Sequence, residues 1–369
     1  MSGKTPRIAQ RMSRIDASGI RKVFDLAQHL ENPVNLSIGQ PHFDIPDVVK
    51  DAGIQAAREG FNSYTPTQGI PELRDAIREN LSARGIEVED VLVTSGCSGA
   101  LVLSIFSLVN PDDEVLIPDP YFVMYKHLVN VMGGKPVFVD TYPDFRLTAD
   151  RIRPHITPRS KLLVINSPCN PTGAVYSEED LKDIASFADE QGLFVLSDEV
   201  YRSFSYDGPS PSIAPFTDNV LVCDGFSKSH AMTGWRIGFA GGPSSVIQEM
   251  AKLQQYSFVC APSISQKAAV AALKNPEPAD HTADYKHKRD LIYDGLKDRF
   301  DVVKPTGAFY IFPKVPDGFT DQEFVAAAIE RNLLIIPGSV FSEKSTHFRI
   351  SFAAPDDVIE KGIEILNSL

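Results

Sequence analysis

The sequence predicts an α/β fold: a mostly parallel sheet covered by helices on both faces, with a smaller α+β unit beside it. Three observations carry that reading. Short apolar runs rich in β-branched residues alternate with helix-length runs through the middle of the chain. Those apolar runs show little polar alternation, as expected of strands buried on both faces. After about residue 275 the alternation gives way to one long polar helix and short, scattered strands. At 369 residues the chain exceeds what a single core usually serves. We therefore expect a large domain over residues 44–275 and a small domain built from 1–43 and 276–369.

Helical periodicity runs from Ser18 to Leu30, and Val34 to Ile38 reads as a strand entering Gly39-Gln40-Pro41, where glycine lets backbone come close to something else. Pro46 opens a helix that Gly60 closes. Pro71 opens another, with Leu73, Ile77 and Leu81 on one face and Gly85 as its stop. Strands are then expected at Val91–Thr94, Glu114–Ile117, Pro136–Val139, Leu162–Ile165, Leu193–Leu196 and Asn219–Cys223. Helices fall at Ser98–Leu108, Tyr121–Met132 and Ser177–Gln191. The C-terminal part should hold a helix through Lys288 and Leu296, strands at Ala308–Phe312, Leu334–Pro337 and Phe348–Phe352, and a final helix.

Composition narrows the partners. A formal charge of -12 opposes nucleic-acid binding, which needs a basic footprint. Lys4, Arg7, Arg11 and Arg14 alternate with Ile8, Met12 and Ile15, which reads as a packed amphipathic arm. No apolar run suits a signal peptide or a membrane span, so the expected location is the cytoplasm. Cys97, Cys169, Cys223 and Cys260 lie too far apart for a zinc or redox motif, and the histidines form no ligand cluster. No metal is expected.

In an open parallel sheet, ligands bind beyond the carboxyl ends of the strands. Four stretches stand there. Ser95-Gly96-Cys97-Ser98-Gly99 feeds a helix start, whose free N–H groups suit a phosphate, although tight packing alone would leave the same trace. Asn166 to Gly173 makes a rigid turn that could aim Asn170 inward or serve only as a turn. Ser197-Asp198-Glu199-Val200-Tyr201 brings acid into apolar surroundings, where a carboxylate must be paired. Lys228 follows the strand ending at Cys223, and Arg236 lies eight residues on. Farther along, Arg349 sits inside an apolar strand and implies a carboxylate from protein or substrate. A phosphate cradle, an amine, an acid and a carboxylate clamp together suit pyridoxal phosphate.

In order and wording these motifs resemble the class I/II aminotransferases among the fold-type I pyridoxal-phosphate enzymes, the aspartate and tyrosine aminotransferase group. The resemblance runs through NLSIGQPHF from Asn35, YTPTQGIPELR from Tyr64, TSGCSGAL from Thr94, PDPYFVMY from Pro118, NSPCNPTG from Asn166, SDEVY from Ser197, FSKSHAMTGWRIG from Phe226 and FRISFA from Phe348. It implies a seven-stranded sheet and a ping-pong transfer of an amino group from an L-amino acid to a 2-oxo acid. It further implies a Schiff base on Lys228, Asp198 against the pyridine nitrogen, Tyr201 and Asn170 on the 3′-oxygen, and Phe122 stacked on the ring. Cys97, Ser98, Ser227 and Arg236 would hold the phosphate; Gly39, Asn170 and Arg349 would meet the substrate. Tyr64 would reach the neighbouring subunit's phosphate in a homodimer. Gly225 stands where many relatives carry serine, so one phosphate hydrogen bond should be missing or moved. No arginine matches the one that binds a distal carboxylate in aspartate-specific relatives. A β-lyase or decarboxylase on the same cofactor is the alternative. A transcriptional regulator would need a DNA-binding module that 38 residues before Gly39 leave little room for.

Overall fold

The structure, a computed structural model, describes residues 8–17, 19–20, 23, 30–275 and 279–369. At its centre lies a seven-stranded sheet, as the resemblance implies. Its strands are β2 (Asp90–Ser95), β3 (Glu114–Asp119), β4 (Lys135–Asp140), β5 (Ser160–Asn166), β6 (Phe194–Asp198), β7 (Val220–Gly225) and β8 (Ile237–Gly242), in the spatial order 2-8-7-6-5-3-4. Only β8 runs antiparallel to its neighbours. Successive residues of a strand point to opposite faces. Val91 and Val93 thus join one buried cluster and Leu92 the other; Leu162 and Val164 divide from Leu163 and Ile165 in the same way. This two-sided burial is the reason the strand sequences lack polar alternation.

The helices that cover the sheet end where their sequences say. α1 (Asp47–Arg58) follows Pro46; α2 (Pro71–Ser82) has its proline at the first turn and buries Leu73, Ile77 and Leu81. α3 (Gly96–Leu108) begins two residues earlier than periodicity suggests, because Gly96 turns at φ 73° directly out of β2. α4 (Met124–Met132) begins three residues later, which leaves Phe122 on the loop ahead of the helix. α5 (Ala149–Ile152) is one short turn, and α6 (Glu178–Gln191) is capped by the Ser177 hydroxyl.

Two smaller sheets lie apart from the central one. β1 (Val34–Asn35) pairs in parallel with β10 (Leu333–Leu334). β11 (Ile336–Pro337), β12 (Phe348–Ser351) and β9 (Tyr310–Ile311) form an antiparallel set. The expected strand Leu334–Pro337 is therefore two short strands in different sheets, broken at Ile335. The expected Ser18–Leu30 helix falls largely outside the described residues. The turn Gln10–Arg14 lies against α4, while Ile8 and Met12 are 74% and 46% exposed in the single chain.

Candidate active site

One cavity of about 280 Å³ lies beyond the carboxyl ends of β2, β5, β6 and β7. Gly39, Cys97, Ser98, Phe122, Asn170, Asp198, Tyr201, Ser227, Lys228, Arg236 and Arg349 all border it. Tyr64 does not. It is 84% exposed and borders a separate hollow with Phe258 and Ser263.

Lys228 sits in the short helical turn α7 (Phe226–Ser229) immediately after β7, and its ammonium donates to the Gly39 carbonyl at 2.6 Å. The residue is half-buried, since it faces the open cavity, but dense protein around the amine withdraws it from water. Burial, reinforced by the positive charge of Arg349, lowers its pKa to about 8.

Asp198 ends β6 and is 2% exposed. The Tyr125 hydroxyl donates to its Oδ2 at 2.6 Å; the Val200 N–H at 3.3 Å and the Cys97 thiol at 3.6 Å reach Oδ1. Burial raises its pKa to about 6 against these donors. Among the described residues no lysine or arginine lies within ion-pair distance of it. Its neighbours differ: Glu199 pairs with Arg84, and Asp224 with Arg202 at 2.6 Å and Arg84 at 3.5 Å. The need for paired acid at this strand end is thus met by cations for Glu199 and by neutral donors for Asp198. The side of Asp198 turned to the cavity is ready for a ligand cation.

The floor of the cavity beside Ser98 and Arg236 comes from close packing. A Cβ on Gly238 would press on the Cys97 nitrogen and stand 2.6 Å from the Gly96 carbonyl carbon and 2.9 Å from the Asp224 carbonyl oxygen. Bare backbone there lets the start of α3 seat against β8. Arg236, held at φ 51°, donates from Nη2 to the Ser98 hydroxyl at 2.7 Å and from Nη1 to the Thr233 carbonyl at 3.0 Å. The arginine fork, the serine hydroxyl and the helix start converge as a phosphate needs. Gly225 is itself tightly placed, with a Cβ there 3.1 Å from Gly238 Cα and from the Ile237 oxygen.

Arg349, in β12, is 1% exposed. It donates to the Asn170 Oδ1 at 3.0 Å and the Ser37 carbonyl at 2.8 Å, and lies 4.5 Å from the ring centres of both Tyr310 and Phe341. Its Nε has no partner, and no carboxylate among the described residues lies within ion-pair distance. Tyr310 was not legible as a site residue, yet its hydroxyl meets that of Tyr201 at 2.8 Å. A Cβ on Gly39 would come within 2.5 Å of the same hydroxyl. Tyr125 was missed as well; its place three residues past Phe122, on the same face of the helix expected over Tyr121–Met132, was the available signal. Cys97 contributes its thiol besides its backbone.

These residues fit pyridoxal phosphate: an amine of lowered basicity, an anion site at a helix start, and a buried carboxylate without a cation border one cavity. Fold and site together define a pyridoxal-phosphate enzyme of fold type I. Residues 31–366 match the model of the family "Aminotransferase class I and II". A probable aspartate aminotransferase of Methanocaldococcus jannaschii is 40% identical, with 98% of this chain and 99% of the relative covered. Aromatic-amino-acid aminotransferase 2 of Thermococcus litoralis is 37% identical over 97% and 96% of the two chains. The solved structure of a Thermus thermophilus aspartate aminotransferase single mutant superposes with a TM-score of 0.93 at 35% identity, covering 98% of this chain and 99% of that one.

The chain belongs to the class I and II aminotransferases. Its cofactor is pyridoxal phosphate and its reaction is amino-group transfer between amino acids and 2-oxo acids; the relatives give no support to the lyase or decarboxylase alternative.

Proposed function

We propose that an L-amino acid gives up its amino group, and a 2-oxo acid collects it, at the one cavity bordered by Lys228, Asp198 and Arg349. The observation that carries this assignment is Arg349. A buried guanidinium without a counter-ion is costly to keep, so a site that keeps one is built for an anion that arrives with the substrate. The α-carboxylate is that anion, and the backbone of Gly39 and the Asn170 amide border the same place.

Pyridoxal phosphate, when bound, supplies an electron sink for the pair left at the substrate α-carbon. Lys228 takes the α-proton, and burial, which lowers its pKa to about 8, favours the neutral amine that such a base needs. Asp198, an anion held by Tyr125, Cys97 and Val200, would meet the ring nitrogen and keep it protonated. Tyr201 and Asn170 would hold the 3′-oxygen, and Phe122 would cover a ring face. The backbone of Cys97 and Ser98, with Ser227 and Arg236, would hold the phosphate.

Tyr64 fits a homodimer in which it reaches the neighbouring site. Its exposure, together with that of Tyr256, Phe258 and Val259, supports this reading. Parallel pairing of β1 with β10 supports a division into residues 44–275 and a unit of 1–43 with 276–369. A cytoplasmic location is the reading taken from the sequence, and among the described residues no helix is long and apolar enough to cross a membrane.

Borohydride treatment of the holoenzyme tests the assignment. Reduction should fix the cofactor covalently to the peptide containing Lys228, and Lys228→Ala should yield unlabelled protein with no transfer activity. Covalent labelling at another lysine would refute the role given to Lys228.

A further inference from the structure

We infer that the site selects amino acids with an apolar or aromatic side chain and discriminates against a second carboxylate; the inference rests on the amino-transfer reading above. Among the described residues bordering the cavity, the cations are Lys228, Arg236 and Arg349. Each is committed. Lys228 moves the proton, and Arg349 takes the α-carboxylate. Arg236 is tied to the start of α3 by its bonds to the Ser98 hydroxyl and the Thr233 carbonyl, with the Ser95 carbonyl 3.5 Å from Nη2. Among the described residues of this wall no cation is left for a distal carboxylate.

Setting aside the groups assigned to the cofactor and the α-carboxylate, the described wall is Ile20, Leu101, Met124 and Val200, with Asn166 already bonded to the Asp198 carbonyl and the Asn170 N–H, and the Tyr310 hydroxyl to that of Tyr201. At Ser95, the residue just before α3, opens a separate hollow of about 720 Å³ bordered also by Tyr64, Phe258 and Cys260. The two stretches that build it, residues 60–71 and 253–266, contain no Asp, Glu, Lys or Arg. Whether this rim serves its own site or a second copy's, it brings aromatic and small polar groups and no charge. A distal carboxylate would lose its water without gaining a partner, whereas an apolar side chain gains by burial. Family membership does not decide the matter, since one relative is named for aspartate and another for aromatic amino acids.

The test is a single-turnover series on the holoenzyme, following the bound cofactor's absorbance with L-phenylalanine, L-leucine, L-asparagine and L-aspartate. Phenylalanine or leucine should exceed aspartate in kcat/KM by at least ~10-fold, the lower range of what one mismatched group in a pocket produces. Asparagine, a neutral isostere, should outrun aspartate. Aspartate reacting as well as phenylalanine would overturn the substrate class and leave amino transfer standing. If none of the four converted the cofactor, this inference would fail, while the amino-transfer reading would be judged separately by the borohydride labelling of Lys228.

Discussion

Replacing Lys228 by methionine in the cofactor-free chain keeps the length of the side chain and removes its charge. The amine pKa falls from 10.5 to about 8 on folding, a change of about 2.5 units. At 1.36 kcal/mol per unit, burying the protonated amine costs about 3 kcal/mol at pH 7, an upper bound because water can enter the cavity. The variant also loses the hydrogen bond to the Gly39 carbonyl, worth about 1 kcal/mol. Lys228→Met should therefore be more stable than the parent by about 2 kcal/mol at pH 7. The pH dependence gives a sharper sign. Because the folded pKa is the lower one, the parent recovers its stability as pH rises from about 8 towards 10.5, where the unfolded chain loses its proton too. Urea unfolding of both cofactor-free proteins at pH 7 and pH 10 reads this directly. The advantage of the variant should shrink to within about 1 kcal/mol at pH 10. An equal difference at both pH values, or a variant weaker at pH 7, would refute a desolvated amine at this position.

Tyr310→Phe removes a hydroxyl that touches Tyr201 and abuts Gly39, without opening a cavity. We expect kcat/KM to fall about 5-fold, the worth of one neutral hydrogen bond, and the absorbance of the bound cofactor to titrate at a different pH; unchanged titration would reduce Tyr310 to packing. Gly238→Ala forces a methyl against backbone at the start of α3, so unfolding should become easier by about 1–3 kcal/mol and cofactor should dissociate more readily. Cofactor affinity equal to the parent's would show that the cradle does not depend on this close seat.

The lysine, the acid and the asparagine were legible because each follows a strongly apolar strand in a region of regular alternation, and a parallel sheet sends all such ends to one side. Arg349 was legible for the opposite reason, a charge where the strand wants apolar residues. Tyr125 and Tyr310 were not. Each is an ordinary aromatic in an apolar run, and its polar tip matters only because folding brings it to a residue 73 or 109 positions away. The Cys97 thiol escaped for the same reason, its partner being 101 residues distant. Leu334–Pro337 misled because an unbroken apolar run gives no sign that the chain changes sheets within it.

The most direct measurement of the central claim is the amount of 2-oxo acid that holoenzyme releases from a reactive L-amino acid when no acceptor is supplied. The account predicts one equivalent per bound cofactor, no ammonia, and resumed turnover once a 2-oxo acid is added. Continuous release of 2-oxo acid together with ammonia would contradict it.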